Sequence, residues 1–185
     1  MAGFRVRRAR ARDIDVLVLH RRRMWEDIGG RTPEQLDAAD PVYRRWYLRE
    51  SRAGRYVAFV AEDARGRVVA SGCLWLQPGQ PRPGDASCVD PYLLSMYTEP
   101  EYRRKRLATG IVREAIRWCR ENGYGRMTLH ASKMARGVYR RIGFERTWEM
   151  RIRMKPSGKG AGRGRGRGRR GARPDRRSGE SRPRP

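Results

Sequence analysis

The sequence predicts one α/β domain, a mixed central sheet flanked by helices, with a tail outside the fold. Three observations carry this. Three strand-like apolar runs follow one another, "RYVAFVAED", "GRVVASGCLWLQ" and "VDPYLLSMYT". Next, Leu107, Ile111, Val112, Ala115, Ile116 and Cys119 recur at helical spacing up to Asn122-Gly123. That helix sits inside a strand–helix–strand–helix succession, so parallel pairing must join the antiparallel strands before it.

Element by element, Phe4 to Arg10 is a short strand. Asp13 is placed to cap a helix whose stripe is Ile14, Leu17, Val18, Met24, Trp25 and Ile28, ended by Gly29-Gly30. Thr32-Pro33 starts another helix, because a cap residue followed by Pro at the first helical position is preorganised for it. "PVYRRWYLRES" is either its continuation or a third helix. Asp63-Ala64-Arg65-Gly66 turns the first two strand runs into a hairpin. "VDPYLLSMYT" is apolar over most of its length, as a strand covered on both faces should be. "RMTLHAS" is a further strand, and a short helix follows with Met134, Val138, Tyr139 and Ile142. "TWEMRIRM" alternates, with Trp148, Met150, Ile152 and Met154 on one side, and is expected as the last strand.

The domain is expected to span residues 1–154 and the tail residues 155–185. The tail, rich in Gly-Arg repeats, has no apolar residue larger than Ala, cannot bury a core and is expected to be disordered. It holds 12 of the 44 cations and 2 of the 20 acids, so the body is basic in its own right within the net charge of +24. Such a charge attracts phosphates, nucleic acid and acidic surfaces without specifying a fold. Only four of the cations are Lys, so GC-rich coding bias stands beside phosphate attraction as an alternative source of part of the charge. The tail has no aromatic residue for base stacking, so it is either a non-specific, salt-sensitive nucleic-acid binder or a solubilising extension. Cys73, Cys88 and Cys119 show no paired or metal-ligand spacing and are expected as reduced thiols, with no metal. The run "IDVLVL" is too short to span a membrane, and the start lacks the order of a signal peptide. The cytoplasm is the expected compartment.

The chemistry concentrates in "YTEPEYRRKRLATG", Tyr97 to Gly110. A loop between a buried strand and a helix presents free backbone N–H groups and the positive end of the helix dipole, both suited to an anion. Arg103, Arg104, Lys105 and Arg106 add four cations. By chemistry alone the stretch suits a phosphate cradle, and equally a basic helix lying on DNA.

Its sequence, "MYTEPEYRRKRLATGIVREAIRWCRENG", resembles the acyl-CoA-binding motif of the GCN5-related N-acetyltransferases, the GNAT family. There, Arg/Gln-x-x-Gly-x-Gly/Ala opens a helix after a strand. Arg103 matches the leading residue and Ala108 the last, while Arg106 stands where the family has glycine. "LHASKMARGVYRRIGFER" resembles the family's next motif, a helix ending in Tyr-x-x-Gly-Phe. Together they imply the acyl-CoA N-acyltransferase fold over residues 4–154, acetyl-CoA as co-substrate, and a primary amine of a small molecule or peptide as acceptor.

The resemblance implies site residues as well. The first strand and "RMTLHAS" would splay, with the backbone of Met96, Tyr97 and Thr98 pairing with the pantetheine arm. The N–H groups of Arg103, Arg104, Lys105, Arg106, Leu107, Ala108 and Thr109 would hold the pyrophosphate. The amine attacks the thioester directly, an N–H near Tyr97 or Thr98 stabilises the oxyanion, and Tyr139 protonates the leaving sulfur. Tyr139 also fits a core aromatic, and both roles can hold. For the general base, Glu99, His130, Glu26 and Asp27 stay open, each also fitting a solvated acid or, for His130, a half-buried satisfied histidine. Arg106 either costs about 1–2 kcal/mol, if its position needs a positive φ, or is tolerated and adds a phosphate contact. A protein N-acetyltransferase held near ribosomes or nucleic acid by its tail, and a non-catalytic module on the same fold, remain the alternatives, and a homodimer stays open.

Overall fold

A computed structural model describes residues 3–85, 87–152 and 154. β1 (Arg5–Arg8) leads through a 3-10 turn, Ala11–Asp13, into α1 (Ile14–Ile28). Asp13 makes no side-chain cap bond to α1. Its carboxylate is drawn backward instead, accepting from Arg10 N–H (2.6 Å) and from both terminal nitrogens of buried Arg7 (2.7 and 3.0 Å). Arg7 Nε also donates to Glu62 (2.9 Å), so the guanidinium is held by two carboxylates.

α2 (Pro33–Arg52) is a single helix that includes "PVYRRWYLRES" and runs through Pro41. Thr32 caps it, its hydroxyl accepting from Gln35 N–H while Gln35 reaches back to Thr32 N–H. β2 (Tyr56–Glu62) and β3 (Val68–Pro78) form the expected hairpin. Asp63 fixes its turn by accepting from the N–H groups of Arg65 and Arg67, each at 3.0 Å. β4 (Val89–Thr98), α3 (Leu107–Glu121), β5 (Thr128–Leu129) and α4 (Arg136–Ile142) follow. Met134 precedes α4 and is exposed instead of lining its inner face.

The sheet runs β1-β2-β3-β4-β5, antiparallel except for the parallel pair β4–β5. Alternation along β2 and β3 divides their side chains between two apolar layers. On one face Val57, Phe59 and Leu74 meet Leu107, Ile111 and Val112 of α3. On the other, Val60 and Cys73 meet Ile14 and Leu17 of α1 and Tyr43 and Tyr47 of α2. Cys73 and Cys119 are buried thiols, Cys88 is exposed, and none is in a disulfide.

The chain divides into two units, Met1–Arg146 and Thr147–Pro185. In the second, the described residues form no strand, which corrects the expectation for "TWEMRIRM". Trp148, Met150, Ile152 and Met154 are exposed. Alternation specifies the two faces of a strand, but a strand exists only in a ladder, and among the described residues this segment joins none. Residues 155–185, and with them the expected disorder, lie outside the described residues.

Candidate active site

β4 and β5 pair only at Tyr92↔Thr128 and Leu93↔Leu129. Immediately beyond, β4 bulges. Its register on β3 jumps from Leu94↔Cys73 to Tyr97↔Ser71, and Ser95 takes a left-handed φ of 52°. Gly72 sits opposite the bulge, where a Cβ would strike the Met96 thioether and lie 2.8 Å from Ile111 Cγ2. The absent side chain thus leaves room for Met96 under α3. Tyr97 and Thr98 stay paired with β3, Met96 lies in the bulge, and the β4–β5 ladder ends at Leu93↔Leu129, short of all three.

After β4 a 3-10 turn, Pro100–Tyr102, leads into the cationic loop. Arg104 and Arg106 adopt φ of 64° and 63°, so the loop makes left-handed turns twice without glycine. Arg106 is the N-cap of α3 at ψ 17° and makes no side-chain cap bond. The first helical bond runs from Gly110 N–H to Arg106 C=O (3.1 Å). The N–H groups of Leu107, Ala108 and Thr109 therefore begin the helix without intrahelical acceptors, at the positive end of its dipole. Leu107 is buried and anchors that end, while residues 103–106 are exposed.

The four cations divide. Arg103 turns toward α1, pairing with Asp27 (2.5 Å) and donating to Thr98 C=O (3.1 Å). Lys105 Nζ lies 4.7 Å from the Tyr102 ring centre. Arg104 and Arg106 make no ion pair among the described residues. Arg106, Thr109 and Gly110 line one end of a cavity of about 950 Å³ that continues past Arg113, Arg117 and Arg141, between α3 and α4. The cavity does not reach the β4 backbone, so it extends the helix-start region rather than the strand gap.

The titratable candidates fall on opposite faces of the sheet. Tyr139, on α4, is half-buried in the α3-side cluster, its ring edge-on to Phe144 at 5.6 Å. Burial pushes its phenol above the ordinary 10, so it stays a proton donor at neutral pH. Glu99, at the end of β4, faces α1. Arg23 pairs with its Oε1, and His20 Nε2 lies 3.3 Å from the same oxygen. His130, one residue past β5, is exposed, not half-buried. Glu26 and Asp27 are exposed and already paired, with Arg22 and Arg103 respectively.

His20, Ser71 and Arg23 escaped the sequence reading. His20 has no exposed surface, and its Nδ1 lies 2.9 Å from Ser71 Oγ on β3. Its signal was positional: three residues after Leu17 and six after Ile14, it sits on the buried stripe of α1. Burial lowers its pKa below 6.5, the charge and contact of Glu99 oppose that, and Arg23 adds to the lowering. At neutral pH the imidazole is uncharged.

No group of three or more His, Cys, Asp or Glu among the described residues could hold a metal ion, and no helix is long and apolar enough to cross a membrane. No curated protein matches the chain. Solved structures do. A GCN5-related N-acetyltransferase from Ralstonia eutropha JMP134 is 26% identical, with TM-score 0.73, over 82% of this chain and 99% of that one. A predicted acetyltransferase from Clostridium acetobutylicum, solved with acetyl-CoA, is 26% identical with TM-score 0.72, over 82% and 96%. AAC(6')-Iy, solved with the bisubstrate analogue CoA-S-monomethyl-acetylneamine, is similar in fold at 18% identity and TM-score 0.65, over 84% and 100%. The family model of the GNAT acetyltransferases matches residues 21–144, and the chain belongs to that family.

Proposed function

We propose that the chain transfers the acetyl group of acetyl-CoA to a primary amine by direct attack. The observation that carries this is the β4–β5 gap opening directly onto the glycine-free cradle at the start of α3. The pantetheine amides pair with the free edge of Met96, Tyr97 and Thr98. The pyrophosphate takes the N–H groups at Leu107, Ala108 and Thr109, with Arg104 and Arg106 as unpaired cations beside it. Arg103 serves differently, joining the loop to α1 through Asp27.

Two protein groups on opposite faces of the sheet then serve the two proton transfers. Glu99 removes a proton from the acceptor ammonium on the α1 side. The amine nitrogen bonds to the thioester carbon, an N–H near Tyr97 or Thr98 holds the oxyanion, and the C–S bond breaks. Tyr139 gives its proton to the departing sulfur from the α4 side. Glu99 is preferred to His130 because it is held in place by α1, whereas no hydrogen bond fixes His130 among the described residues.

The test is acetyl-CoA binding by calorimetry, with thiol release measured against polyamines, amino sugars and short peptides with free N-termini. One-to-one binding and stimulation by one amine class are expected. Absence of both rejects the enzyme reading.

A further inference from the structure

Behind Glu99 stands a polar trio that the proposed chemistry does not yet use. His20 Nε2 is completely buried and lacks a hydrogen-bond partner, its 3.3 Å approach to Glu99 Oε1 being poorly aligned. An unpaired buried polar nitrogen is costly, and an apolar residue at the same place would avoid that cost. The groups facing it come from each element around it: Ser71 from β3, Tyr97 from β4, Glu99 just after β4, and Arg23 from α1. The Tyr97 ring, 5.0 Å from the imidazole, closes the remaining side.

The contacts on Glu99 are uneven. Both His20 and Arg23 approach Oε1, and Oε2 has no protein partner among the described residues. The carboxylate keeps 14% of its side-chain surface exposed. One oxygen is thus held from inside the protein and the other is left over.

We propose that His20 is the positioning residue for the amine-deprotonating step. The Ser71 hydroxyl donates to Nδ1 and fixes the tautomer with the proton on Nε2, 3.3 Å from Glu99 Oε1, and a small turn of the carboxylate brings the two into line. Arg23 shares that oxygen, and the pair hold the carboxylate with Oε2 directed to the acceptor. In the step itself an ammonium N–H bond breaks and an O–H bond forms on Oε2. No proton passes to His20, and Glu99 returns its proton to water afterward. This rests on Glu99 being the base.

Two measurements on the full chain test it. Nitrogen NMR of the imidazole needs no acceptor: the Nε2–H tautomer is expected in the wild type, and a mixture in Ser71→Ala. A wild-type Nδ1–H tautomer overturns the proposal. With the best amine of the panel, Ser71→Ala and His20→Leu should lower kcat about tenfold with the acetyl-CoA KM little changed. His20→Gln, which keeps a donor near Nε2, should restore most of the rate. If Glu99→Gln is inactive while His20→Leu and Ser71→Ala keep the wild-type kcat, the positioning role fails and the base survives. If Glu99→Gln keeps full rate, the base reading fails first. A fall in rate matched by an equal rise in the acetyl-CoA KM marks general distortion and also overturns the role of His20.

Discussion

Replacing Arg106 by glycine should make this protein more stable, because Arg106 occupies a backbone conformation that suits glycine. At φ 63° and ψ 17° it lies in the left-handed region, which costs an L-residue about 1–2 kcal/mol. Glycine removes that strain but loses about 0.5–1 kcal/mol through the greater freedom of the unfolded chain. The net gain for Arg106→Gly is therefore about 0–1.5 kcal/mol. Arg106→Ala keeps the strain and removes an exposed side chain without an ion pair, so its stability should stay near wild type. The contrast between the two variants isolates the backbone term, and about 1 kcal/mol corresponds to a Tm difference of about 2–4 °C for a chain of this size. Urea and thermal unfolding measure it, and a glycine variant no more stable than the alanine variant refutes the strain. Acetyl-CoA affinity separates charge from conformation. Arg106→Lys should bind like wild type, whereas the glycine and alanine variants should bind alike and more weakly. Equal affinity in all four proteins removes any role of the cation in holding phosphate.

Three further outcomes follow from the packing and the buried charges. Gly72→Ala should destabilise by about 1–3 kcal/mol, as its methyl displaces Met96 and crowds Ile111 at 2.8 Å; an unchanged urea midpoint would falsify the close approach. Asp13→Ala should cost about 3 kcal/mol, since it strips the buried Arg7 guanidinium of one carboxylate and leaves only Glu62. Burial raises the Asp13 pKa, but the Arg7 and Arg10 hydrogen bonds outweigh it and the net shift is downward. A loss below about 1 kcal/mol would show the pair to be solvated. His20 gives a pH signature, because burial lowers its pKa below 6.5 in the folded state. The unfolded chain then binds the proton first, so this contribution is complete above pH 6.5 and is lost as the pH falls through the folded value. The slope is at most about 1.4 kcal/mol per pH unit from one proton. His20→Gln should flatten the fall in stability between pH 7.5 and 5.5, and identical curves for both proteins rule the imidazole out as its source.

Where local chemistry decided the outcome, the sequence was legible. Thr32, Pro33 and Gln35 form their cap, Asp63 and Gly66 their turn, and β4 has the bounds of "VDPYLLSMYT" because a continuous apolar run permits few alternatives. Where a long-range partner decided it, the sequence was silent. "TWEMRIRM" alternates as well as any strand in the chain, yet alternation cannot supply a neighbour to pair with. Asp13 had the right place for a cap, and only the fold brings Arg7 near enough to claim its carboxylate. His20 failed for a related reason. A stripe search counts apolar residues, and a histidine within the stripe is set aside as an interruption, although a buried polar group marks a place where burial alone does not explain the residue.

The same distinction explains how α1 serves the site through His20 and Arg23, beyond the expected Glu26 and Asp27. Its last two turns carry Arg23 to Glu99 and Asp27 to Arg103, while the first buried stripe holds His20 against Ser71. Arg103 stands first in the loop proposed to hold phosphate, and Glu99 follows β4 beside the gap proposed for the thioester. One helix therefore grips both the loop proposed for the cofactor and the carboxylate proposed for the acceptor. An anion in the loop that drew Arg103 away from Asp27 would release one of these two ties and leave Arg23–Glu99 as the remaining one. Asp27→Asn separates the consequences. It should leave the Glu99 end intact, so acetyl-CoA affinity changes while the imidazole tautomer of His20 does not. A shift of the tautomer in that variant would mean that the two ends of α1 respond together.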